Sequence, residues 1–192
     1  MAAHRCRRVA AMSSLQITLV AAAAVLFFWV VGAYNRLMEL RNAILRRFDR
    51  FDEQFKLRHA LLLSHLDAHV AVPPIEATGA DAAPEALQAL RAACLQTHSA
   101  CAAARSRPAV AEAVVSLRLA EAILQGTIDR LPQLNNDPGG LKLRGQLSTS
   151  ESAMQIARSE FNDAVHDYNL AVRQFPTCLL AGMLGFRAAA HL

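Results

Sequence analysis

The feature that most constrains this chain of 192 residues is a long segment without any charged side chain, residues 9–35. Within it, residues 15–34 read LQITLVAAAAVLFFWVVGAY. Twenty residues of α-helix rise about 30 Å, which is the thickness of the hydrocarbon core of a bilayer. Trp29 and Tyr34 stand near its end, where aromatic side chains anchor a helix at the membrane interface. The segment predicts a transmembrane helix over residues 15–34, preceded by a basic tail over residues 1–14.

A cleaved signal peptide is the main alternative interpretation of this segment. Arg5, Arg7 and Arg8 form a basic start, and residues 31–33 could serve as a cleavage site with small side chains. However, the apolar run is longer than the apolar region of a usual signal peptide, and bulky aromatic residues lie close to the cleavage point. We therefore favour an uncleaved membrane helix.

Composition indicates helices in the rest of the chain. Ala occurs 38 times and Leu 27 times, whereas Gly and Pro together supply 15 residues, a balance that favours few, long helices. Residues 59–192 carry ten basic side chains against twelve acidic ones, so this part lacks the positive excess that nucleic-acid binding requires. The overall charge of +4 comes from the two flanks of the apolar segment, where it suits contact with lipid head groups.

The same flanking charges bear on membrane orientation. Three Arg precede the apolar segment and five Arg follow it within 16 residues, a positive-inside count that places the C-terminal part in the cytoplasm. The short basic start is typical of the opposite topology. The three cysteines after the segment are an odd number without a disulfide-like pattern, which suits a reducing compartment. We predict a single-pass inner-membrane protein with most of the chain in the cytoplasm.

A stripe of apolar residues continues beyond the apolar segment. From Leu37 to Val70 such residues recur at spacings of three and four, with one gap of seven between Phe55 and Leu62. Charged residues occupy the other side, which we expect to be solvated. No Pro or Gly interrupts this stretch before Pro73, so the membrane helix is predicted to continue into it without a break.

Three further amphipathic helices are predicted, and four apolar stripes are most simply buried in an antiparallel bundle. The further helices are expected from Pro84 to about residue 106, over residues 108–131 and over residues 141–175, with a loop at 72–84 and a turn cluster at 135–140. The predicted fold is all-α: an N-terminal transmembrane helix that continues into an antiparallel four-helix bundle over residues 35–176. Residues 177–192 form an apolar tail, too short to span a bilayer, that either lies on the bundle or enters the membrane interface.

Two motifs resemble those of the LemA family. The first follows the apolar segment, is similar to the family's YN-x-L-x-x-LRN signature, and contains Tyr34, Asn35, Leu40, Arg41 and Asn42. The second is similar to AR-x-x-YNDAV-x-x-YN followed by FP and GF, and contains Arg158, Asn162, Asp163, Tyr168, Asn169, Pro176, Gly185 and Phe186. Phe161 replaces the first Tyr of the second motif, and residues 51–64 lack the family's usual Pro.

The resemblance implies a bacterial membrane protein with one N-terminal transmembrane helix and a helical bundle, and it brings no established reaction or cofactor. The sequence also lacks a Gly-rich phosphate loop, a nucleophile elbow and an HExxH motif. We therefore predict a non-enzymatic interaction or scaffolding module without a cofactor. Its expected partners are the lipid bilayer and an unidentified protein at or near the membrane, with no nucleic acid and no small-molecule substrate indicated.

The matched polar residues flank an apolar stripe on the last long helix. Asn162 and Tyr168 are expected to be partly buried. The flanking polar residues are expected to bond across to Arg36, Asn42 or Asn35 and so to fix the register of two helices; they are Asn162, Asp163, His166, Asp167 and Asn169. The alternative is a polar patch that binds a partner. We favour the register role.

The other alternative function is metal or redox binding by the bundle. Cys94, His98 and Cys101 share one helix face at i, i+4 and i+7, and His65 and His69 stand at i, i+4, which is a metal-ligand spacing. No third ligand is indicated for the histidine pair, and bundle metal sites draw matching ligands from several helices. Packing of small Cys side chains between helices is the favoured interpretation.

Overall fold

The computed structural model describes residues 14–71, 82–131 and 138–192. These residues form five helices and, within those ranges, no strand. The helices are α1 (Ser14–Ala71), α2 (Ala82–Ser106), α3 (Ala111–Asp129), α4 (Pro138–Arg173) and α5 (Thr177–Leu184). The all-α prediction is confirmed. The predicted basic tail and the loop at 72–84 lie mostly outside the described residues. The first half of the turn predicted at 135–140 also lies outside them, and its second half, residues 138–140, forms the start of α4.

Helix α1 runs unbroken for 58 residues, because its sequence contains no proline and only one glycine. Its first part, up to Tyr34, is apolar and mostly exposed. Its second part buries the predicted stripe from Leu37 to Leu66, in which only Leu40 is half-buried. The side chain of Val70 lies outside the described residues. The long apolar helix that leads into the bundle is thus present as predicted.

Helices α1 and α4 form the most extensive pair of the bundle and run antiparallel. Arg47 of α1 pairs with Glu160 of α4 at 2.6 Å, and Arg58, further along α1, pairs with Glu151, earlier in α4, at 3.3 Å. Helices α2 and α3 form a second antiparallel pair, in which the Thr97 hydroxyl donates to the backbone carbonyl of Ala120 at 3.2 Å. This hairpin packs on α1.

The core divides into three groups along the bundle. The largest joins all four long helices and includes Phe48 of α1 and Phe161 of α4, whose rings meet edge to face with centroids 5.8 Å apart. A second group joins all four long helices at the end of α1 that is far from the apolar segment, and consists mainly of leucines such as Leu62. A small third group, Leu37 with Ala171 and Ala181, lies where α1 leaves that segment.

Several helix boundaries differ by two or three residues from the sequence prediction. Helix α3 begins at Ala111 instead of residue 108, because the preceding residues form a turn in which the Val110 N–H donates to the Arg107 carbonyl at 3.0 Å. Helix α4 begins at Pro138 and includes both following glycines, since a proline in the first helical turn loses no hydrogen bond. It ends at Arg173, so Phe175 lies outside the seam and is 76% exposed.

The prediction that the charged residues of α1 all lie on a solvated face is wrong for two of them. Asp52 and Arg58 are buried. Both are paired with charged groups on neighbouring helices, which offsets the cost of removing them from water. Arg58 also falls inside the gap of seven residues in the apolar stripe, so a polar layer fills the place where the pattern lapses.

Candidate functional site

The first part of α1 presents an apolar surface to its surroundings. Ten of its large apolar side chains, between Leu15 and Val31, are 36% to 72% exposed. Its most apolar window of 18 residues has a mean hydropathy of 2.2, and none of that window is buried. Among the described residues it is the one helix that could cross a membrane by length and composition, a test that a signal sequence also meets.

Residues 186–192, which we call the tail segment, are extended and lie along α4. Two asparagines of α4 hold their backbone. The Asn169 side chain donates to the carbonyl of Ala189 at 2.9 Å and accepts from the N–H of the same residue at 2.9 Å. The Asn162 side chain makes the same pair of bonds with Leu192, at 3.1 and 2.8 Å. Each carboxamide thus bonds both the N–H and the carbonyl of one residue, as the backbone of a neighbouring β-strand does.

The spacing of the two asparagines fits the spacing of their targets. Seven residues of α-helix rise about 10.5 Å, and three residues of extended chain span about 10 Å. Tyr168 adds a fifth bond, because its hydroxyl donates to the carbonyl of Arg187 at 3.0 Å. Burial raises the pKa of Tyr168, so this hydroxyl keeps its proton. We call Asn162, Tyr168 and Asn169 the tail clamp.

Side chains of the tail segment complete the main core. Ala189 and Leu192 are buried in the group that contains Phe48 and Phe161, and Phe186 packs against its edge. These residues occupy every third position, and the residues between them are mostly exposed. The backbone is therefore bound by the clamp while every third side chain enters the core.

Helix α5 connects the clamped tail to α4. Its C-terminal Gly185 has φ +74, a left-handed conformation that favours glycine, and the following N–H of Phe186 donates to the carbonyl of Ala181 at 2.9 Å. This cap turns the chain back along α4. The ring centroids of Phe186 and Tyr34 lie 6.2 Å apart. This contact joins the end of the second predicted motif to the start of the first. Pro176 precedes α5 directly.

The remaining predicted site residues are not brought together. Asn35, Arg41, Asn42 and Asp163 are exposed, and Leu40 is half-buried against the core. The expectation that polar residues of α4 bond across to Arg36, Asn42 or Asn35 is wrong for Asn162 and Asn169. Their partners are backbone atoms of the tail segment. An amide side chain has both donors and an acceptor, so each asparagine can bond the carbonyl and the N–H of one backbone residue.

Arg158, the other predicted residue of α4, belongs to a buried ionic network in the polar layer of α1. It donates to Glu121 of α3 at 2.9 Å. Arg58 lies beside this pair and donates to Gln125 at 2.6 Å. Burial raises the pKa of Glu121, and the two arginines oppose that effect. Within the described residues, Arg58 Nε, Arg158 Nε and Glu121 Oε1 are buried without hydrogen-bond partners.

Asp52 forms a second polar cluster that joins α1 to α2. Its carboxylate accepts from Arg105 and pairs with Lys56 at 2.8 Å, and the Cys101 thiol lies 3.4 Å away. Burial alone would raise the pKa of Asp52, but the hydrogen bonds from Arg105, Lys56 and Cys101 hold it below its ordinary value. The cluster fixes how α2 sits on α1 and contains no free nucleophile.

The cysteines and histidines of the alternative function do not converge. Burial raises the pKa of Cys94 to about 11 and, together with Asp52, that of Cys101 to about 12, so both stay thiols. They lie in different core groups, and His98 is exposed. No group of three potential metal ligands occurs in the described part of the chain. The side chain of His69 lies outside it.

Comparison with known families agrees with the second motif. The family model described as LemA family matches residues 81–192. The chain belongs to the LemA family. The match contains the whole tail clamp and its tail segment, whereas the LemA-like motif at residues 34–42 precedes it. No curated protein and no solved structure matches the chain significantly.

Sequence reasoning named the clamp residues of this LemA chain but missed their targets. The targets lie 19 to 30 residues away along the chain and are backbone atoms, which leave no side-chain pattern. Glu121 and Asp52 were also missed. The gap of seven residues in the α1 stripe was the available signal for the polar layer, since core helices rarely skip a turn without a reason.

Proposed function

We propose that this chain is a single-pass membrane protein whose helical bundle acts as a non-enzymatic interaction or scaffolding module beside the bilayer. The exposed apolar surface of α1 carries this proposal. Leaving a large apolar side chain in water instead of burying it costs about 1.5–3 kcal/mol, and ten such side chains are exposed there. Lipid removes that cost without a protein partner.

An inner-membrane location with the bundle in the cytoplasm is the orientation we propose. Its support is the five Arg that follow the apolar segment from Arg36 to Arg50, since such residues are retained on the cytoplasmic side. The two cysteines buried as thiols suit the same reducing compartment.

The non-enzymatic part of the proposal rests on how the polar residues are used. The main buried polar interactions of the bundle join side chains to one another or to backbone atoms, as in the Arg158 to Glu121 pair and the tail clamp. The exposed surface of the bundle carries charged side chains of both signs, with which a partner protein can form ion pairs. We therefore propose a protein partner at or near the membrane.

Carbonate extraction of native membranes tests the anchor. We expect the chain to stay in the washed pellet with residues before Tyr34 intact. Each Arg at the centre of a span costs about 3 kcal/mol, so Val25→Arg with Phe28→Arg should release protein from the pellet. Ile156→Arg, on the exposed face of α4, is the matched control. Recovery of a soluble product that begins near Tyr34 would instead identify a cleaved signal peptide and refute the proposal.

Crosslinking from the bundle in native membranes tests the interaction role. A photoreactive residue at an exposed position of α3, such as Leu119, should capture the same membrane-associated protein in repeated experiments. Cysteine labelling from each side of the membrane establishes orientation separately. Absence of any reproducible adduct from several exposed positions on α2 and α3 would contradict the scaffolding role while leaving the anchor intact.

A further inference from the structure

Helix α5 has an exposed apolar face that the bundle does not use. Residues 174–186 contain no charged side chain, and Ala181 is the one residue of α5 that is buried. On the other side, Leu179 is 63% exposed and Met183 is 85% exposed. Leu179 and Met183 stand four residues apart in α5, about one turn of helix. They therefore form one apolar face, which we call the α5 face.

The α5 face lies at the end of the bundle where α1 leaves its apolar segment. The antiparallel pairing of α1 with α4 brings the last turn of α4 to the level of Tyr34. Two contacts place α5 and the start of the tail segment at the same level: Phe186 meets the ring of Tyr34, and Ala181 packs with Leu37. Tyr34 is also the last residue of the twenty-residue apolar segment.

Distance along α1 places the face within the headgroup layer of a bilayer. Three residues separate Tyr34 from Leu37, which amounts to about 4.5 Å of helix. The interfacial layer on each side of the hydrocarbon core is about 5–8 Å thick. A helix packed on Leu37 is thus within that layer whenever the apolar segment spans the core. Arg173 and Arg187 flank the uncharged stretch, which suits contact with phosphate groups.

We propose that α5 is an interfacial helix whose exposed face enters the phospholipid bilayer beside the membrane helix. This inference rests on the proposed function, since it needs the apolar segment of α1 to cross the bilayer. It adds a second, monotopic contact, and amphipathic segments of this kind bury their apolar side about 5–10 Å into the boundary between head groups and acyl chains. The occupant of the α5 face is therefore lipid.

Tryptophan quenching by brominated phospholipid tests both steps in one system. The full chain contains a single tryptophan, Trp29, inside the apolar segment. The chain is reconstituted in vesicles of phosphatidylcholine and phosphatidylglycerol, with and without bromine on the acyl chains. A second protein carries Trp29→Phe and Met183→Trp, and a third carries Trp29→Phe and Leu179→Trp. Both α5 substitutions replace exposed side chains, so folding is preserved. Trp29→Phe with Ile156→Trp is the matched control on the exposed face of α4.

We expect brominated lipid to quench the indole introduced at position 183 or 179 as strongly as it quenches Trp29. The indole at position 156 should keep its emission. If Trp29 is quenched while both α5 indoles are not, the interfacial position of α5 is refuted and the anchor stands. If Trp29 itself is not quenched, the proposed anchor fails. A blue-shifted α5 indole that bromine leaves unquenched would indicate cover by protein and would also overturn the inference.

Discussion

Replacing Asn169 by alanine should release the tail segment from α4. The substitution removes both hydrogen bonds to Ala189, each 2.9 Å long, and leaves the N–H and carbonyl of a buried residue unsatisfied. A protein hydrogen bond contributes about 1 kcal/mol net, so two bonds amount to about 2 kcal/mol. Because 1.4 kcal/mol corresponds to a factor of ten, the opening equilibrium of the tail should rise about 30-fold.

Amide hydrogen exchange of the full chain in detergent micelles measures this change. Local opening of the tail segment exposes its amides without global unfolding, so exchange at Ala189 should accelerate by that factor. Exchange in the middle of α4 should stay unchanged. Tyr168→Phe removes one bond to Arg187 and should give about a fivefold acceleration, from about 1 kcal/mol. Asp163→Ala, at an exposed position of the same helix, is the matched control.

A change in the exchange rate at Ala189 of less than twofold in Asn169→Ala would refute the role assigned to the carboxamide. Such a result would mean that apolar packing of the tail in the core, and not the carboxamide, holds the segment. Equal acceleration in Asp163→Ala would point to a general loosening of α4 instead.

Three further perturbations follow from buried groups of the bundle. Phe161→Ala should lower the free energy of unfolding by about 3–5 kcal/mol, the usual cost of removing a fully buried aromatic ring, as measured by denaturant titration. Burial lowers the pKa of His59, and so does the charge of His98, whose ring stacks on it. The free energy of unfolding should therefore fall as the pH drops below 6.5, the ordinary pKa of histidine. His59→Phe should flatten this pH dependence. At pH 8, a maleimide should modify half-exposed Cys178 rapidly and Cys94, with its pKa near 11, only after unfolding.

Each of these expectations has its own control and its own contrary outcome. Ile156→Ala, at an exposed position of α4, should change the free energy of unfolding by less than about 0.5 kcal/mol; an equal loss in both variants would contradict the core role of Phe161. His166→Gln, at an exposed position, should leave the pH dependence intact. Maleimide labelling is followed with Cys6→Ser, and fast modification of Cys94 in the folded chain would contradict its burial.

Much of the fold could be predicted because helix periodicity is a local property. The stripe from Leu37 to Leu66 specifies the buried side of α1 before any neighbour is known, and charge-free residues 15–34 stand out by length alone. The same logic failed at Phe175, which continues the α4 spacing but lies past the end of the helix. Periodicity indicates which face of a helix a residue would occupy, but it does not indicate whether the helix extends as far as that residue.

The site was less predictable because its partners are remote and carry no pattern. Asn162 and Asn169 were recognised by their resemblance to a motif, yet nothing in their spacing names Leu192 or Ala189 as targets. The tail segment is short, apolar and free of helical periodicity, so the sequence left its position on the bundle or at the membrane open. Arg58 was assigned to the solvated face because it is charged. Charge is an unreliable guide to exposure where a distant helix supplies an opposite charge, as α4 does here with Glu151.

In the proposed membrane arrangement, the unbroken course of α1 sets how far the bundle extends from the bilayer. From Tyr34 to the end of the helix at Ala71 are 37 residues, or about 55 Å of rigid rod. With no hinge between the span and the bundle, the bundle cannot swivel or retract on a linker. A protein that contacts the distal tips of α2 and α3 would there have to reach about that height, whereas one that contacts Phe186, at the start of the tail segment beside Tyr34, would sit against the lipid head groups.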